Sequence, residues 1–566
     1  MCGILFSLTT TNNEYSQSLW NKLEDLNTKR GPDSQQLRTL ECLSYKLQFF
    51  SSVLHLRGPN IVSQPIYNPN TEDILCWNGE VFSGLNIPFG ANDTERVMEE
   101  LEKSNTSDNE MEAYNIILNT MSKIEGPYAF VFWQAKYKTL WFSRDCLGRR
   151  SLLWHQSEDG SLIISSVGLK TEELQLEELS ANGIYNIKIN DSGVISQPKL
   201  YPWKHSSEGI EHSLILPFPR LNTQLPKDDQ LAKLNTENEV PEINQAMEQT
   251  IQQFIDVLSE AVRRRVADVP YLNSHETSPR IAILFSGGLD CICLAALVHQ
   301  LIPITETIDL LNVAFENPRS EMAKEQNKKK NNKSQATSSN SKSTYDTPDR
   351  VTGRASVAEL RTMAPERHWN FVEINVPYEE AMNHKQEIID RMYPLDTVMD
   401  LSIAMALWFA SRGRGNVDGK EYESYARVLI SGLGADEQLG GYSRHREAYK
   451  RGEWKELIQE TQLDIDRIST RNLGRDDRIM SDHGKEVRFP FLDTDVVNFL
   501  CLQPIYLKMD MRFERGIGEK LLLRHVARQL NLPIASKNWK RAIQFGAKTA
   551  RMTQESRSQK GQHKLE

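Results

Sequence analysis

The 566-residue chain has no excess of positive charge: Lys plus Arg number 67 against 76 Asp plus Glu, a formal net charge of −9. A protein that coats nucleic acid needs a basic face for phosphate, so this balance argues against that function. Paired cysteines are lacking as well. The seven present (Cys2, Cys42, Cys76, Cys146, Cys291, Cys293 and Cys501) are scattered without CxxC pairs, which speaks against a disulfide framework or a structural zinc site. No run approaches the roughly eighteen apolar residues of a membrane span. The start, Met-Cys-Gly-Ile-Leu-Phe-Ser, has neither the basic region nor the cleavage site of a signal peptide. The expectation is a soluble cytoplasmic protein. With 39% hydrophobic and 25% charged residues the chain buries ordinary cores. Its length suggests roughly two to four domains.

Apolar patterning divides the chain. Cys2–Leu8 reads as a strand, followed by a helix through Leu19, Leu23 and Leu26 that stops at Arg30-Gly31-Pro32-Asp33. Ile74–Val81 is a strand interrupted by Asn78-Gly79, Asp93–Glu102 is a helix with acids in its first turn, and Pro127–Trp133 with Thr139–Ser143 is a hairpin. Ile243–Val269 carries apolar residues at helical spacing, and Arg263-Arg264-Arg265 near its C-terminal end suit the helix dipole. Arg280–Phe285, a glycine turn, an apolar helix and Thr307–Phe315 give the strand–turn–helix–strand order of a parallel α/β sheet. The division expected is a first domain over 1–205, a linker over 206–240, a second domain over 241–550 and a polar tail over 551–566. A Lys/Asn/Ser-rich insertion at 317–344, with Lys328-Lys329-Lys330, reads as disordered. No internal repeat is visible.

Cys2 is the sharpest single residue. Removal of Met1 leaves a thiol and an α-amine on one residue, and that amine can act as general base for its own side chain. The amide of Asn78 and the N–H of Gly79 are donors of the kind that stabilise a tetrahedral oxyanion. Arg57 suits a carboxylate and Asp93 an α-ammonium group. Together these parts suit a free α-amino acid whose side-chain amide is attacked. Taken singly, each has an ordinary structural explanation.

The order Met-Cys-Gly-Ile, Arg30-Gly31-Pro32-Asp33, Gln64-Pro65, Trp77-Asn78-Gly79-Glu80, Asn92-Asp93-Thr94-Glu95, Gly126–Phe130 and Arg144-Asp145 through Gly148 resembles the class II glutamine amidotransferase domain. The resemblance implies an N-terminal-nucleophile αββα sandwich that releases ammonia from glutamine. It implies Cys2 as nucleophile, Asn78 and Gly79 as the oxyanion site, and Arg57, Glu80 and Asp93 as the residues that hold glutamine.

Ser286-Gly287-Gly288-Leu289-Asp290 joins a strand to a helix. Its glycines let backbone N–H groups approach phosphate at a helix N-terminus, and Asp290 can hold magnesium. Ser431–Glu437 ends a second strand and offers Asp436 as another magnesium ligand. With Glu486–Asp493, these loops resemble the ATP-pyrophosphatase domain of asparagine synthetases, a doubly wound parallel α/β fold. In that family ATP adenylates aspartate and ammonia displaces AMP. The resemblance places Phe285, Phe315, Ser431 and Gly432 at adenosine and implies ATP and Mg2+. Asp349–Arg354 and Gly434–Arg446 bring the chain closer to the asparagine synthetase domain-containing proteins.

Departures fall in the second half. Leu433 stands where the synthetases carry a glutamate suited to activating ammonia, and leucine cannot take a proton. Asp400 replaces a basic residue, and Cys291 replaces a serine. Lys540 and Arg541 are candidates to neutralise departing pyrophosphate. The expectation is a glutamine-hydrolysing, ATP-dependent amide-forming enzyme acting on aspartate or another carboxylate. The alternative is an ATP- or glutamine-binding regulatory module. A tRNA-modifying enzyme is disfavoured by the acidic balance. Expected partners are small molecules, with no nucleic acid and no membrane, and a homodimer is left open.

Overall fold

The computed structural model of the chain describes residues 1–10, 15–208, 214–233, 239–243, 245–271, 278–318, 343–550, 552 and 561–565. The expected Lys-rich insertion thus falls almost wholly outside the described residues, as does most of the polar tail. Among the described residues no helix is long and apolar enough to cross a membrane.

The first half contains β1 (Gly3–Thr10), β2 (Ser34–Cys42), β3 (Tyr45–Val53), β4 (Ile66–Tyr67), β5 (Ile74–Gly79), β6 (Tyr128–Gln134), β7 (Thr139–Arg144), β8 (Leu153–Gln156), β9 (Leu162–Ser165), β10 (Glu177–Glu178), β11 (Gly183–Lys188) and β12 (Lys199–Pro202). They form two six-stranded antiparallel sheets, ordered β10-β8-β9-β1-β3-β2 and β12-β11-β7-β6-β5-β4. Ile4, Phe6 and Leu8 face Cys76, Val131 and Phe142 across the gap between the sheets. Leu5 points the other way, onto Leu19, Trp20 and Leu23 of the helix Gln17–Arg30. Both faces of β1 are covered, which is why it reads as a continuous apolar run. The helices Asp93–Glu102 and Glu110–Lys123 cover the outer face of the second sheet through Val97, Leu101 and Ile117. The order of layers is therefore helix, sheet, sheet, helix.

The second half adds β13 (Ile281–Leu284), β14 (Ile308–Phe315), β15 (Trp369–Val376), β16 (Arg414–Val417), β17 (Lys420–Glu423), β18 (Val428–Ile430) and β19 (Glu486–Arg488). Their order is β17-β16-β15-β14-β13-β18-β19, parallel from β15 to β19 with an antiparallel hairpin at the β17 edge. Helices Gln245–Val266 and Leu289–Leu301 pack on one face, and Val398–Arg412 and Leu473–Ser481 on the other. The sheet is doubly wound, and its order reverses between β13 and β18, the place where such sheets open a ligand crevice.

Between the halves lies a layer of buried charge. Arg30 Nη2 meets Asp477 at 2.7 Å and Arg30 Nη1 donates to Ser481 Oγ at 2.6 Å. Arg150 pairs with Glu486 at 2.9 Å, Arg488 with Glu80 at 3.0 Å, and Arg478 donates to Ser151 Oγ at 2.7 Å. Asp477 also accepts the Ser151 N–H at 3.1 Å. Gly31 follows the helix Gln17–Arg30 and lies so close to β3 that a side chain there would come within 2.5 Å of the backbone at Ser52 and Val53. That close approach places Arg30 at the seam. Asp477→Ala strands Arg30 without its counter-charge, and the expected loss is about 3–5 kcal/mol in denaturant unfolding. Replacing both partners with Arg30→Met and Asp477→Leu is expected to recover most of it. A single mutant as stable as wild type would remove the pair from the account of the interface.

Candidate functional site

The start of β1 is held by side chains. Cys2 N–H donates to Asn78 Oδ1 at 3.1 Å, Gly3 N–H to Ser52 Oγ at 3.0 Å, and Ile4 N–H to Ser166 Oγ at 3.0 Å. The Cys2 carbonyl accepts from Arg30 Nε at 3.2 Å. The Cys2 peptide is therefore gripped from both sides. Asn78 spends its oxygen on this grip, which leaves Nδ2 buried with no hydrogen-bond partner among the described residues. Gly79 is a glycine for space: a Cβ there would come within 2.7 Å of Tyr128 Cβ and 2.8 Å of the Pro127 carbonyl. After Gly79 the chain leaves the strand, and Glu80 N–H turns to the Pro127 carbonyl at 2.9 Å.

Arg57, Glu80 and Asp93 are brought together beside this start. Arg57 Nη1 donates to the Val81 carbonyl at 2.8 Å and lies 3.8 Å from Glu80 and 3.7 Å from Asp93. Asp93 Oδ2 accepts the Val81 N–H at 2.8 Å, and Glu80 meets Arg488 from the second half at 3.0 Å. Burial pushes the Glu80 carboxyl up to about 8 despite Arg488, and it raises Asp93 as well. Burial also raises the Cys2 thiol, against the neighbouring amine and the Leu54 backbone, and it drives the Met1 α-amine down to about 5. Met1 itself is packed into the apolar layer of the second half with Met480, Val487 and Leu492.

The second cluster lines a cavity of about 840 Å³ at the carboxyl ends of β13, β14 and β18. The two glycines after β13 have separate duties. Gly287 has φ +79°, and a Cβ there would come within 2.5 Å of Gly353 N, so the loop must run bare against the helix Pro348–Met363. Gly288 caps the helix Leu289–Leu301 and has only Ser286 Oγ near it, at 3.3 Å, leaving its side open to a ligand. Asp290 and Asp436 converge on Lys520, at 2.5 and 2.7 Å, and Lys540 also pairs with Asp436. Burial raises the Asp290 carboxyl in spite of Lys520. At Asp436 Lys520 and Lys540 overcome the same burial and hold the carboxyl low. Two carboxylates converging on one cation suit magnesium, which takes one or two carboxylates and completes its shell with phosphate oxygens and water. Among the described residues no group of three or more His, Cys, Asp or Glu side chains is placed to hold a metal ion.

Phe285, Ser286, Gly288, Asp290, Ser431, Gly432 and Asp436 line the cavity, as do Leu433, Asp400, Lys540 and Arg541. Phe315, expected at the adenosine, is not among the lining residues. It is fully buried and packs edge-on against Phe409 at 5.5 Å, because the last side chain of β14 turns under the helix Val398–Arg412. Asp400, which stands where a basic residue was expected, is tied to Arg475 of the helix Leu473–Ser481, so a guanidinium reaches this wall from another element. Sequence reasoning missed Lys520, Arg475 and Glu437. Lys520 had a signal in Gly516-Ile517-Gly518-Glu519-Lys520: Gly516 has φ +89°, and a Cβ at Gly518 would come within 2.2 Å of the Asp510 carbonyl. Arg475 had none, since Asp400, the cavity acid it meets besides its neighbour Asp476, is far away in the chain.

Comparison with known proteins agrees with this two-part reading. A glutamine amidotransferase domain family matches residues 1–191, and an asparagine synthase family matches residues 253–459 and 449–560. The chain is similar to asparagine synthetase domain-containing protein 1 of Homo sapiens, at 39% identity over 98% of this chain and 95% of that one. It is also similar to an asparagine synthetase domain-containing protein of Saccharomyces cerevisiae, at 34% identity over 98% and 92%. The glutamine-hydrolyzing asparagine synthetase of Gallus gallus is more distant, at 26% identity over 81% of this chain and 69% of that one.

The two glycines separate in a test. Gly287→Ala is expected to lower the melting temperature, because it combines a positive φ with a backbone clash. Gly288→Ala is expected to keep the melting temperature and weaken ATP binding roughly tenfold or more, by blocking the helix N-terminus. Calorimetric titration with ATP reads the second effect, and unchanged affinity in Gly288→Ala would remove this loop from the nucleotide site.

Proposed function

The chain belongs to the family of asparagine synthetase domain-containing proteins, and from that premise we propose that it hydrolyses glutamine and uses ATP to convert a carboxylate into an amide. The observation that carries the reading is the grip of Asn78 Oδ1 on the Cys2 N–H, with Asn78 Nδ2 left buried and without a hydrogen-bond partner among the described residues.

Removal of Met1 turns the Cys2 N–H that now meets Asn78 into an α-amine. That amine takes the thiol proton, and sulfur attacks the carbon of the glutamine side-chain amide. Asn78 Nδ2 and Gly79 N–H receive the oxyanion. The amine then returns the proton to departing ammonia, and water hydrolyses the thioester to glutamate. Arg57 holds the glutamine carboxylate with Nη2, the guanidinium nitrogen it does not spend on Val81, Glu80, Asp93 or Asp268, while Glu80 and Asp93 hold the ammonium group.

In the second cavity the loop Ser286–Asp290 receives the phosphates of ATP, with Phe285, Ser431 and Gly432 beside the nucleoside. Asp290 and Asp436 would hold Mg2+, which would supply positive charge to offset the charge that grows on pyrophosphate. Lys520 and Lys540 supply further positive charge there. A carboxylate oxygen of the acceptor attacks the α-phosphorus, pyrophosphate leaves, and ammonia displaces AMP to leave the amide. We place this work in the cytoplasm. Leu433 favours a second reading, a module that binds ATP and glutamine without amide synthesis, because it puts an apolar side chain on the cavity wall where the synthetases carry an acid.

Cys2→Ala is expected to lower glutamate release from glutamine by more than ~100-fold while ammonium chloride still supports ATP-dependent amide formation. Glutaminase activity that survives in Cys2→Ala would sink the proposal. The glutamine step should also respond to pH. Because burial raises the Glu80 carboxyl above the usual carboxylate range, it gains the charge an ammonium group needs only as pH rises above that range. KM for glutamine is expected to fall over that rise, by up to roughly tenfold per pH unit. Glu80→Gln is expected to flatten the profile, and an unchanged slope would dismiss Glu80 as a holder of glutamine.

A further inference from the structure

One wall of the second cavity carries an apolar stripe beside the paired Asp400 and Arg475. On the helix Val398–Arg412, Met399, Ile403 and Leu407 recur every four residues and line the cavity from one helix face. Leu433, Met480 and Ile543 line it too, and Ile403, Leu407, Leu433, Met480 and Ile543 belong to one continuous hydrophobic cluster. This wall faces the first half. Met480 is on the helix whose Asp477 and Ser481 hold Arg30, which in turn holds the Cys2 carbonyl. At the mouth the apolar lining comes out into solvent, with Trp539 60% and Met399 46% exposed.

A free α-amino acid such as aspartate brings an ammonium group and a second carboxylate into this space, and each buried charge needs a partner. The acids around the cavity are mostly taken. Asp290 and Asp436 meet Lys520, Asp349 faces Arg541 at 3.7 Å, and Asp400 and Asp476 both pair with Arg475. Glu437 Oε2 and Asp436 Oδ1 have no hydrogen-bond partner among the described residues, though Asp436 Oδ1 lies 2.7 Å from the Lys520 ammonium; the other oxygen of Glu437 accepts from the Tyr442 hydroxyl. Arg444 and Arg471 are likewise engaged by Asp464.

We propose that the carboxylate amidated here is carried on an apolar body that lies along the Met399–Ile403–Leu407 wall and emerges past Trp539, rather than on a free α-amino acid. The proposal rests on the amide-forming reading and names its acceptor class. The body displaces water from the wall, a favourable term that aspartate cannot supply, and the carboxylate points inward to the nucleotide. No α-ammonium holder is then required.

The test uses the full-length protein with ATP, Mg2+ and ammonium chloride, so that the first site is bypassed, and follows AMP and pyrophosphate. The probes are hexanoate and 4-phenylbutyrate against aspartate. Stimulation by the apolar acids at least tenfold above that by aspartate is expected. Ile403→Asp is expected to lose it and Ile403→Val to keep most of it, with cooperative thermal unfolding showing that each variant is folded. Leu433→Glu is expected to weaken use of the apolar acids at least several-fold. Aspartate stimulating as well as or better than the apolar acids would overturn the acceptor assignment while the amide-forming reading stands. Loss of an aspartate response in Glu437→Gln would then identify its ammonium holder. No AMP with any carboxylate, although ATP binds, would overturn both.

Discussion

Much of the molecule hangs on one buried arginine. Arg30 donates to the Cys2 carbonyl with Nε and reaches across the seam to Asp477 and Ser481 with its other nitrogens. A guanidinium has donors on a rigid planar fork, so satisfying all of them fixes the relative position of everything they touch. Here that means the start of β1, the end of the helix Gln17–Arg30 and the helix Leu473–Ser481. The last of these carries Arg475, Asp476 and Met480 on the wall of the second cavity, so one helix borders both sites.

Such a seam is costly to build from charges, because taking ions out of water is repaid only when geometry and hydrogen bonding are complete. Its members meet that condition in part: Asp477 Oδ2 accepts from Arg30 and the Ser151 N–H, and Arg150 meets Glu486 and the Val487 carbonyl, while Asp477 Oδ1 and Arg150 Nε have no hydrogen-bond partner among the described residues. An apolar seam would hold the halves together without specifying their register. A charged one tolerates little slippage, since a small shift leaves several buried groups unpaired at once. The second cavity follows the same rule on a smaller scale. Lys520 reconciles two acids that would repel each other, and Arg475 neutralises an acid in a wall that is otherwise apolar.

Local signals were legible where one segment carries both the pattern and its consequence. The expected hairpin appears as β6 and β7, with Lys138 left-handed in the turn, and the glycine turn after β13 opens a helix as expected. Ile74–Val81 stops two residues early, at Gly79: Glu80 N–H still bonds to the Pro127 carbonyl opposite it, but proline has no N–H to return the bond. The apolar run at Phe315 says that the residue is buried but not beneath which helix, and its ring lies against Phe409, outside the cavity lining.

The sequence by itself determined the two fold classes, through continuous apolar strands in one half and strand–turn–helix order in the other. It also determined the chemical types at Cys2, Asn78, Ser286–Asp290 and Asp436, because these lie in short segments whose spacing is set by a strand end or a helix start. Only the tertiary structure decided which charges neutralise which. Lys520 reaches Asp290 and Asp436, Arg475 reaches Asp400, and Arg30 reaches Asp477, from positions far apart in the chain. A lone arginine or lysine carries no local periodicity or turn preference that announces its partner. Its meaning comes from the acid that burial places beside it, and that is settled when the two halves close around the layer between them.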